Sequence, residues 1–319
     1  PVLMVGSHLA TAVVRALLRL ERSDVLDAPF TNEAAEHAIT GLLEAKAAAA
    51  VAAAPAATGD VARAWAVTGA VGGSGATTLA VEIATQLCAR TGKDKSVCLI
   101  DLNFADGSAA AYLGSSAAMR LGELARASDK LDAAMLQAFV TPVTKQLDLL
   151  AAPRDPEAFD AVPAEAVLRL LEVACETYLW VVLDIPRHRR AWTVQALSGC
   201  DEVLVVSELT VPALLAARSL SDEIERGIGS GKKPRIVLNR LAGRMFGPAP
   251  SMAEAERALQ RKAEGGVSSD WEAAAASVNL GGPIATHRPK SKIVKDVQVL
   301  VNRLAAEPAA RSGKDSRAA

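Results

Sequence analysis

Residues 68–79 read TGAVGGSGATTL, a glycine-rich turn between a strand pattern and a helix pattern. It continues an apolar strand pattern, AWAVTGAV (64–71), and opens a helical pattern that begins at Ala76 and runs to about Arg90. A glycine-rich turn between a strand and a helix N-terminus binds anions, because several backbone N–H groups converge where the helix dipole is positive. The stretch contains no lysine, although a phosphate-binding loop normally uses one to reach the β- and γ-phosphates.

Apolar runs of strand length alternate with helical patterns through the rest of the chain. The strand patterns are SVCLIDL (96–102), LDLLAAP (147–153), LWVVLDI (179–185), EVLVVSE (202–208) and RIVLNR (235–240), and helices are predicted near 212–227 and from Lys292 onwards. Continuous apolar strands separated by helices predict a mostly parallel, doubly wound α/β sheet covered on both faces. Such sheets bind ligands at the carboxyl ends of their strands, where the glycine-rich loop lies.

The composition sets the general class of the protein. The chain has 319 residues, of which 50% are hydrophobic, and a formal net charge of -1, which predicts one large domain and a smaller segment. The apolar runs are too short to span a bilayer. Four single cysteines without a CxxC spacing predict reduced thiols in a cytoplasmic protein. The balanced charge argues against a dedicated nucleic-acid binder.

A low-complexity segment separates the two parts of the chain. It reads KAAAAVAAAPAATG from Lys46 to Gly59, and Pro55 interrupts any helix, so we take 47–60 as an alanine- and proline-rich linker. The segment before it, 1–46, reads as strand, helix, strand and helix: PVLMVGS, HLATAVVRALLRLE, SDVLDAPF and TNEAAEHAITGLLEAK.

This first segment resembles the C-terminal half of a flavodoxin-like receiver domain of a response regulator. The stretch DVLDAPF stands at the receiver's lysine–proline turn, with Ala28 at the lysine position and Gly6 at the position of the switch hydroxyl. The half that would carry the phosphate-accepting aspartate is not in this chain. The resemblance therefore implies a pseudo-receiver used for docking rather than for phosphorelay chemistry.

The loop VGGSGATT (71–78) resembles the deviant Walker A loop of the MinD/ParA superfamily of ATPases. On the family pattern, the signature lysine falls on Val71 and the second lysine falls on Ala76, so both cations are missing. The resemblance implies ATP or ADP as the ligand, with Mg²⁺ bound by Thr77. The loop residues that it assigns to the nucleotide are Gly72, Gly73, Ser74, Gly75, Ala76, Thr77 and Thr78.

Further motifs of the same superfamily follow the later strands. The resemblance implies that Asp101 and Asp184 hold Mg²⁺, directly or through water, and that Asn239 and Arg240 contact the nucleotide, with Asn239 at the adenine edge. Asn103 stands where an aspartate would position the attacking water, and an amide cannot act as a carboxylate. For Asp184 and Asn239, the alternative is a polar strand end that satisfies the local backbone.

Together, GGSGATTLA, LIDLNF, LDLLAAPRDPEAF, VVLDIPRH and SELTVPALLAARSL resemble the TadZ/CpaE subfamily of pilus-assembly proteins, which carry a receiver-like domain before an atypical ATPase domain. The resemblance implies a homodimer that localises and assembles the Tad (Flp, type IVb) pilus machine at a cell pole. The implied partners are the Tad secretion motor ATPase and other machine components. The protein would lie on the cytoplasmic face of the inner membrane, reach the membrane only through its partners and hold no stable nucleic acid.

Two alternatives remain beside a scaffold that hydrolyses ATP slowly or not at all. One is an active ParA/MinD-type ATPase that positions DNA or a protein complex through an ATP-dependent dimer cycle. An arginine from elsewhere, for instance in RHRR (187–190) or from a dimer partner, would then replace a missing cation. The other is a DNA-partitioning protein that binds through the basic stretch 286–296 around Arg288, which otherwise reads as a solvated face.

We assign 61–306 to the ATPase domain and expect a disordered tail over 307–319.

Overall fold

A computed structural model describes residues 2–6, 23–27, 31–32, 35, 62–126, 130–156, 162–228, 233–242 and 251–306. The chain divides into two compact units, Pro1–Asp60 and Val61–Ala319. In the first unit, β1 (Val2–Gly6) pairs in parallel with β2 (Ser23–Asp27), at the positions of two predicted strands. Of the second predicted helix of this unit, Asn32 and Ala35 are described and are helical. The first predicted helix, the linker and the polar tail lie outside the described residues, and the receiver assignment stays a prediction.

The second unit is built on an eight-stranded sheet. Its strands are β3 (Arg63–Gly69), β4 (Val97–Asp101), β5 (Thr141–Pro142), β6 (Leu147–Leu150), β7 (Trp180–Ile185), β8 (Glu202–Glu208), β9 (Arg235–Leu241) and β10 (Ala263–Ser268). They lie in the order β10-β9-β8-β3-β7-β4-β6-β5. Every neighbouring pair is parallel except β5 and β6. The predicted mostly parallel α/β sheet is therefore confirmed.

Helices connect the strands and cover both faces of the sheet. They are α1 (Ala76–Thr91), α2 (Ala109–Tyr112), α3 (Leu121–Arg126), α4 (Ala133–Phe139), α5 (Ala164–Thr177), α6 (Thr193–Gly199), α7 (Val211–Ile228), α8 (Met252–Leu259), α9 (Trp271–Leu280), α10 (Ile284–His287) and α11 (Lys292–Ala306). In the described part of the chain, no helix combines the length and the apolar character that crossing a membrane requires.

Two hydrophobic cores lie on opposite faces of the sheet. The central strand β3 sends Ala64 and Ala66 into the core shared with α5, α6 and α7. It sends Trp65 and Val67 into the core shared with α1 and α11. This double burial explains why the central strands read as continuous apolar runs rather than as alternating ones.

The sheet places three segments of the predicted site at one edge. Strand β3 pairs with β7, and β7 pairs with β4, all in parallel, so that their carboxyl ends are adjacent. The glycine-rich loop leaves β3 after Gly69, while Asp184 and Asp101 lie near the ends of the other two strands. The fold thus brings together residues that are up to about a hundred positions apart in the sequence.

Candidate functional site

The glycine-rich loop leads into α1, and backbone N–H groups are available as donors at the start of this helix. Gly73 and Gly75 have φ angles of 77° and 90°, which only glycine adopts without strain. Gly75 is the N-cap of the helix and no side chain caps it. Among the described residues, none accepts a hydrogen bond from the N–H of Ala76, Thr77 or Thr78. These donors are available to an anionic ligand, as the sequence predicts.

Asn239, at the end of β9, holds this loop in place. Its amide Nδ2 donates a hydrogen bond of 2.8 Å to the carbonyl of Ser74, and both residues are buried. A Cβ atom at Gly75 would collide with the same amide nitrogen. Asn239 therefore has a structural contact to the loop, and its contact with an adenine edge stays a prediction.

The next residue along β9, Arg240, has a different partner from Asn239. Arg240 has a φ angle of 57° and lies 3.6 Å from Glu208 in an ion pair, with 55% of its side chain exposed. It also lines the cleft beside the loop. Its predicted contact with the nucleotide would compete with its contact to Glu208.

Two buried carboxyl groups lie beside the loop. Asp101 and Asp184 are direct partners in the register of β4 and β7, and they are 0% and 5% exposed. The hydroxyl of Thr77 hydrogen-bonds to Asp184. Asp101 accepts hydrogen bonds from the backbone N–H groups of Asn103 at 3.0 Å and Ala109 at 3.1 Å. The three residues that the sequence assigns to the metal therefore form one cluster.

The pKa values of both carboxyls are raised. Burial raises the pKa of Asp101 to about 6, against the opposing effect of its backbone hydrogen bonds. Burial and then the charge of Asp101 raise the pKa of Asp184 to about 7, and the hydrogen bond from Thr77 acts in the opposite direction. Both shifts arise first from burial, which disfavours the charged form of a carboxyl group.

The oxygen atoms of this cluster suit magnesium better than they suit a metal whose ligands are all protein side chains. Magnesium is usually bound by one or two carboxylates together with water and substrate phosphates. Thr77, Asp101 and Asp184 offer this combination next to the phosphate-binding loop. Elsewhere in the described part of the chain, no group of three or more histidines, cysteines and acids is placed to hold a metal ion.

The turn after β4 has a structural role that the sequence did not reveal in full. Asn103 accepts a hydrogen bond of 3.3 Å from the backbone of Asp106 through its Oδ1 atom, in addition to its own N–H bond to Asp101. At Gly107, a Cβ atom would lie 2.6 Å from Oδ2 of Asp101. The ADG sequence that follows Phe104 was the available signal for this close approach. The role of Asn103 towards water stays a prediction.

A cleft of about 450 Å³ adjoins the loop on the β9 and β10 side. Its lining includes Gly75, Thr78, Tyr112, Asn239, Arg240, Ser268, Asp270 and Trp271. The side of the cleft formed by α9 carries Trp271, which is 78% exposed. A planar base fits this combination of an aromatic face and polar strand ends. No pattern in the sequence singles out Trp271, because this residue lies far along the chain from every loop motif.

The basic stretch and the candidate rescuing arginine lie on the surface. In the basic stretch, Arg288, Lys290, Lys292 and Lys295 are all exposed. Arg187 is exposed in the turn that follows β7. The predicted helix from Lys292 is confirmed as α11. Exposure agrees with a solvated face and leaves the predicted roles in DNA binding and rescue as predictions.

Comparison with known families adds an independent line of evidence. A family model described as "Cellulose biosynthesis protein BcsQ" matches residues 63–225, about half of the chain. The chain belongs to the BcsQ family. The matched region begins at β3 and includes the loop, Asp101 and Asp184. No curated protein matches the chain.

Solved structures show which fold this BcsQ-family chain shares. A ParA family ATPase from Chlorobium tepidum matches with a TM-score of 0.66 and 25% identity over 76% of this chain and 99% of its own. The MinC:MinD cell division complex of Aquifex aeolicus gives 0.64 and 21%, over 79% and 100%. MinD of Pyrococcus horikoshii in complex with Mg-ADP gives 0.64 and 15%, over 77% and 96%. The fold is that of the MinD/ParA ATPases, as the loop predicted.

Proposed function

We propose that this protein is a nucleotide-binding scaffold that positions a multiprotein machine and hydrolyses ATP slowly or not at all. One observation carries the proposal: an open phosphate-binding loop lies beside Thr77, Asp101 and Asp184, with Val71 and Ala76 in place of both lysines. The complex of Pyrococcus horikoshii MinD with Mg-ADP supports magnesium nucleotide as the ligand.

Each group at the site has a separate task in binding. The N–H groups of the loop and of the first turn of α1 bind the phosphates. Thr77, Asp101 and Asp184 would hold Mg²⁺, directly or through water, and the ion would offset the negative charge of the two carboxylates. Trp271 stacks on the base, while Asn239 keeps the loop in its binding conformation through Ser74.

Hydrolysis is weak because the positive charge that stabilises the transferred phosphoryl group is missing. A charge-assisted hydrogen bond contributes about 1.5–3 kcal/mol, so loss of the second lysine weakens triphosphate binding by roughly 10- to 100-fold. The same charge stabilises the transition state of phosphoryl transfer. Asn103 cannot replace the missing carboxylate beside the attacking water.

The machine that we propose first is the Tad pilus. The support is the set of loop and strand motifs together with the receiver-like segment before the linker. We place the protein in the cytoplasm at a cell pole, as a homodimer that contacts the secretion motor ATPase. The MinC:MinD complex of Aquifex aeolicus supports a protein partner in general.

The family description favours a second machine, the cellulose biosynthesis apparatus. Affinity purification of the tagged chain from its own cells separates the two. Co-purification of pilus motor subunits supports the first machine, and co-purification of cellulose synthase subunits supports the second. Recovery of neither kind of subunit counts against both.

The competing function is an active ATPase whose dimer cycle positions DNA or a protein complex. It predicts turnover in purified protein and a loss of that turnover in Arg187→Ala. Steady-state phosphate release from the wild type and from this variant decides between the functions. Turnover that depends on Arg187 would show that the protein is an active ATPase and would contradict the proposed scaffold function.

Calorimetric titration of magnesium nucleotide into the purified chain tests the binding site itself. We expect wild-type protein to bind, Thr77→Ala to lose most of the affinity and Thr77→Ser to keep it, because serine retains the hydroxyl. An absence of binding to either ATP or ADP in the wild type would show that the loop is an inherited turn.

A further inference from the structure

The loop offers only neutral donors to the phosphate groups of a nucleotide. Val71 and Ala76 occupy the two positions where a loop of this kind carries lysines, and the remaining donors are backbone N–H groups and the hydroxyls of Thr77 and Thr78. In a phosphate-binding loop, the second lysine contacts the β- and γ-phosphates. Its absence removes a charged contact from both phosphates, and only a triphosphate has the γ-phosphate to lose one.

The negative charges of the carboxyl pair offset the positive charge of a bound magnesium ion. Asp101 and Asp184 together carry two negative charges when ionised, and these balance the two positive charges of one magnesium ion. Both side chains are at least nine-tenths buried, so that solvent screens them poorly. A bound Mg²⁺ thus leaves no surplus charge for a third phosphate group.

Two arginines near the site, Arg240 and Arg189, have acidic partners of their own. Arg240, at the entrance to the cleft, pairs with Glu208 at 3.6 Å. Arg189, after the strand that carries Asp184, forms an ion pair with Glu223. Contact of either guanidinium group with a phosphate would compete with its ion pair.

From this balance of charges, we propose that the site selects a magnesium-bound nucleoside diphosphate over the corresponding triphosphate. The inference rests on the proposed nucleotide site and adds the state of the nucleotide that the scaffold holds. A triphosphate brings one more negative charge to a site in which Asp101 and Asp184 already offset the metal. The loop amides and Mg²⁺ suffice for the two phosphates nearest the nucleoside.

The selectivity follows from two dissociation constants measured on the same wild-type protein. Calorimetry with Mg-ADP and Mg-ATP at equal free Mg²⁺ should give a Kd for ADP lower by about tenfold, which corresponds to about 1.4 kcal/mol. Equal affinities, or a preference for ATP, would overturn the inference and leave the nucleotide site intact. Binding of neither nucleotide would overturn the proposed function as well.

A pair of substitutions at one position tests whether charge is the cause. Ala76→Lys restores the missing cation and should remove or reverse the preference for ADP. Ala76→Gln adds a side chain of similar length without the charge and should keep the preference. If the two variants show the same ratio of dissociation constants, the explanation through charge is wrong.

Discussion

Asp101 and Asp184 lie opposite each other in the register of two hydrogen-bonded strands, and both carboxyl groups are buried. A buried pair of like charges costs stability unless a cation compensates it. The loop of this chain has no lysine, whereas both carboxylates are present. The apo protein therefore carries an electrostatic cost that a bound cation would relieve.

Asp184→Asn should stabilise the apo protein and weaken its ligand binding. At pH 8, we expect the free energy of unfolding of the variant to exceed that of the wild type by about 1–2 kcal/mol, because one buried charge is removed. Saturating Mg-ADP should stabilise the wild type and leave the variant nearly unchanged. Urea unfolding with and without ligand measures both effects. A variant that is less stable without ligand would contradict the prediction.

Glu82→Gln should change how stability depends on pH. Glu82 is buried on α1, its Oε1 accepts a 2.6 Å hydrogen bond from the N–H of Ile284, and burial raises its pKa from 4.5 to about 7. Because the folded pKa lies above the unfolded one, the stability from this group is complete below about pH 4.5 and is lost as pH rises through about 7.

Glutamine keeps the acceptor oxygen of Glu82 and has no charge to bury. We therefore expect wild type and variant to be similar at pH 5 and the variant to be more stable by about 2 kcal/mol at pH 8. Thermal or urea unfolding across this pH range measures the difference. Two stability curves that run parallel from pH 5 to pH 8 would rule out Glu82 as the titrating group.

Gly75→Ala should distort the loop, whereas Gly72→Ala should leave the fold unchanged. Gly75 has a φ angle of 90°, and a Cβ there would collide with the amide of Asn239. The expected cost is about 1–3 kcal/mol. Gly72 has open space around its Cβ position and no positive φ, so it serves as the matched control. Equal unfolding midpoints for the two variants would count against the role of Asn239.

Trp271→Leu should weaken nucleotide binding without lowering stability. The side chain is 78% exposed, so its loss removes little buried area. Stacking of a base on an aromatic ring contributes about 1–3 kcal/mol, which predicts a Kd at least about fivefold higher. Leu280→Ala is the control, since Leu280 is 71% exposed on the same helix and lies outside the cleft lining. Unchanged affinity in Trp271→Leu would place the base elsewhere.

Arg235→Met should destabilise the edge of the sheet. Arg235 bridges Glu202 at 2.6 Å and Glu264 at 2.9 Å, and both acids are mostly buried. Removing the arginine leaves two carboxylates without this partner, at a cost of about 2 kcal/mol after allowance for solvent. The double variant with Glu202→Gln should recover part of the loss, and urea unfolding of the wild type, the two single variants and the double variant measures it. Full additivity of the two substitutions would contradict the bridge.

Local patterns in the sequence predicted most of the central sheet. EVLVVSE was predicted as the strand that the structure shows over Glu202–Glu208, and the helix after the loop begins at Ala76 as expected. These elements are readable because strands buried on both faces are continuously apolar and because glycines mark the turn. Strand β3 ends at Gly69, two residues before the end of its apolar pattern, because the glycine-rich loop begins there.

Strand β10 and the cleft could not be read in the same way. AEGGVS has weak strand propensity, and it becomes a strand because it pairs with β9, where a Cβ at Gly266 would collide with Leu241. The polar contacts of the site also join distant segments, as between Asn239 and Ser74 or between Glu82 and Ile284. Contacts of this kind leave no periodic pattern in the local sequence from which they could be predicted.

The parallel α/β fold, the position of the phosphate loop and the absence of lysine from that loop can be read from the sequence, because they depend on hydrophobic periodicity and on the residue at each position. The folded structure was needed to show that Asp101 and Asp184 share one buried cluster with Thr77, that Asn239 holds the loop and that Trp271 borders the cleft. The reason is physical: burial, charge and shape at the site arise from contacts between strand ends far apart in the chain, and folding alone brings them together.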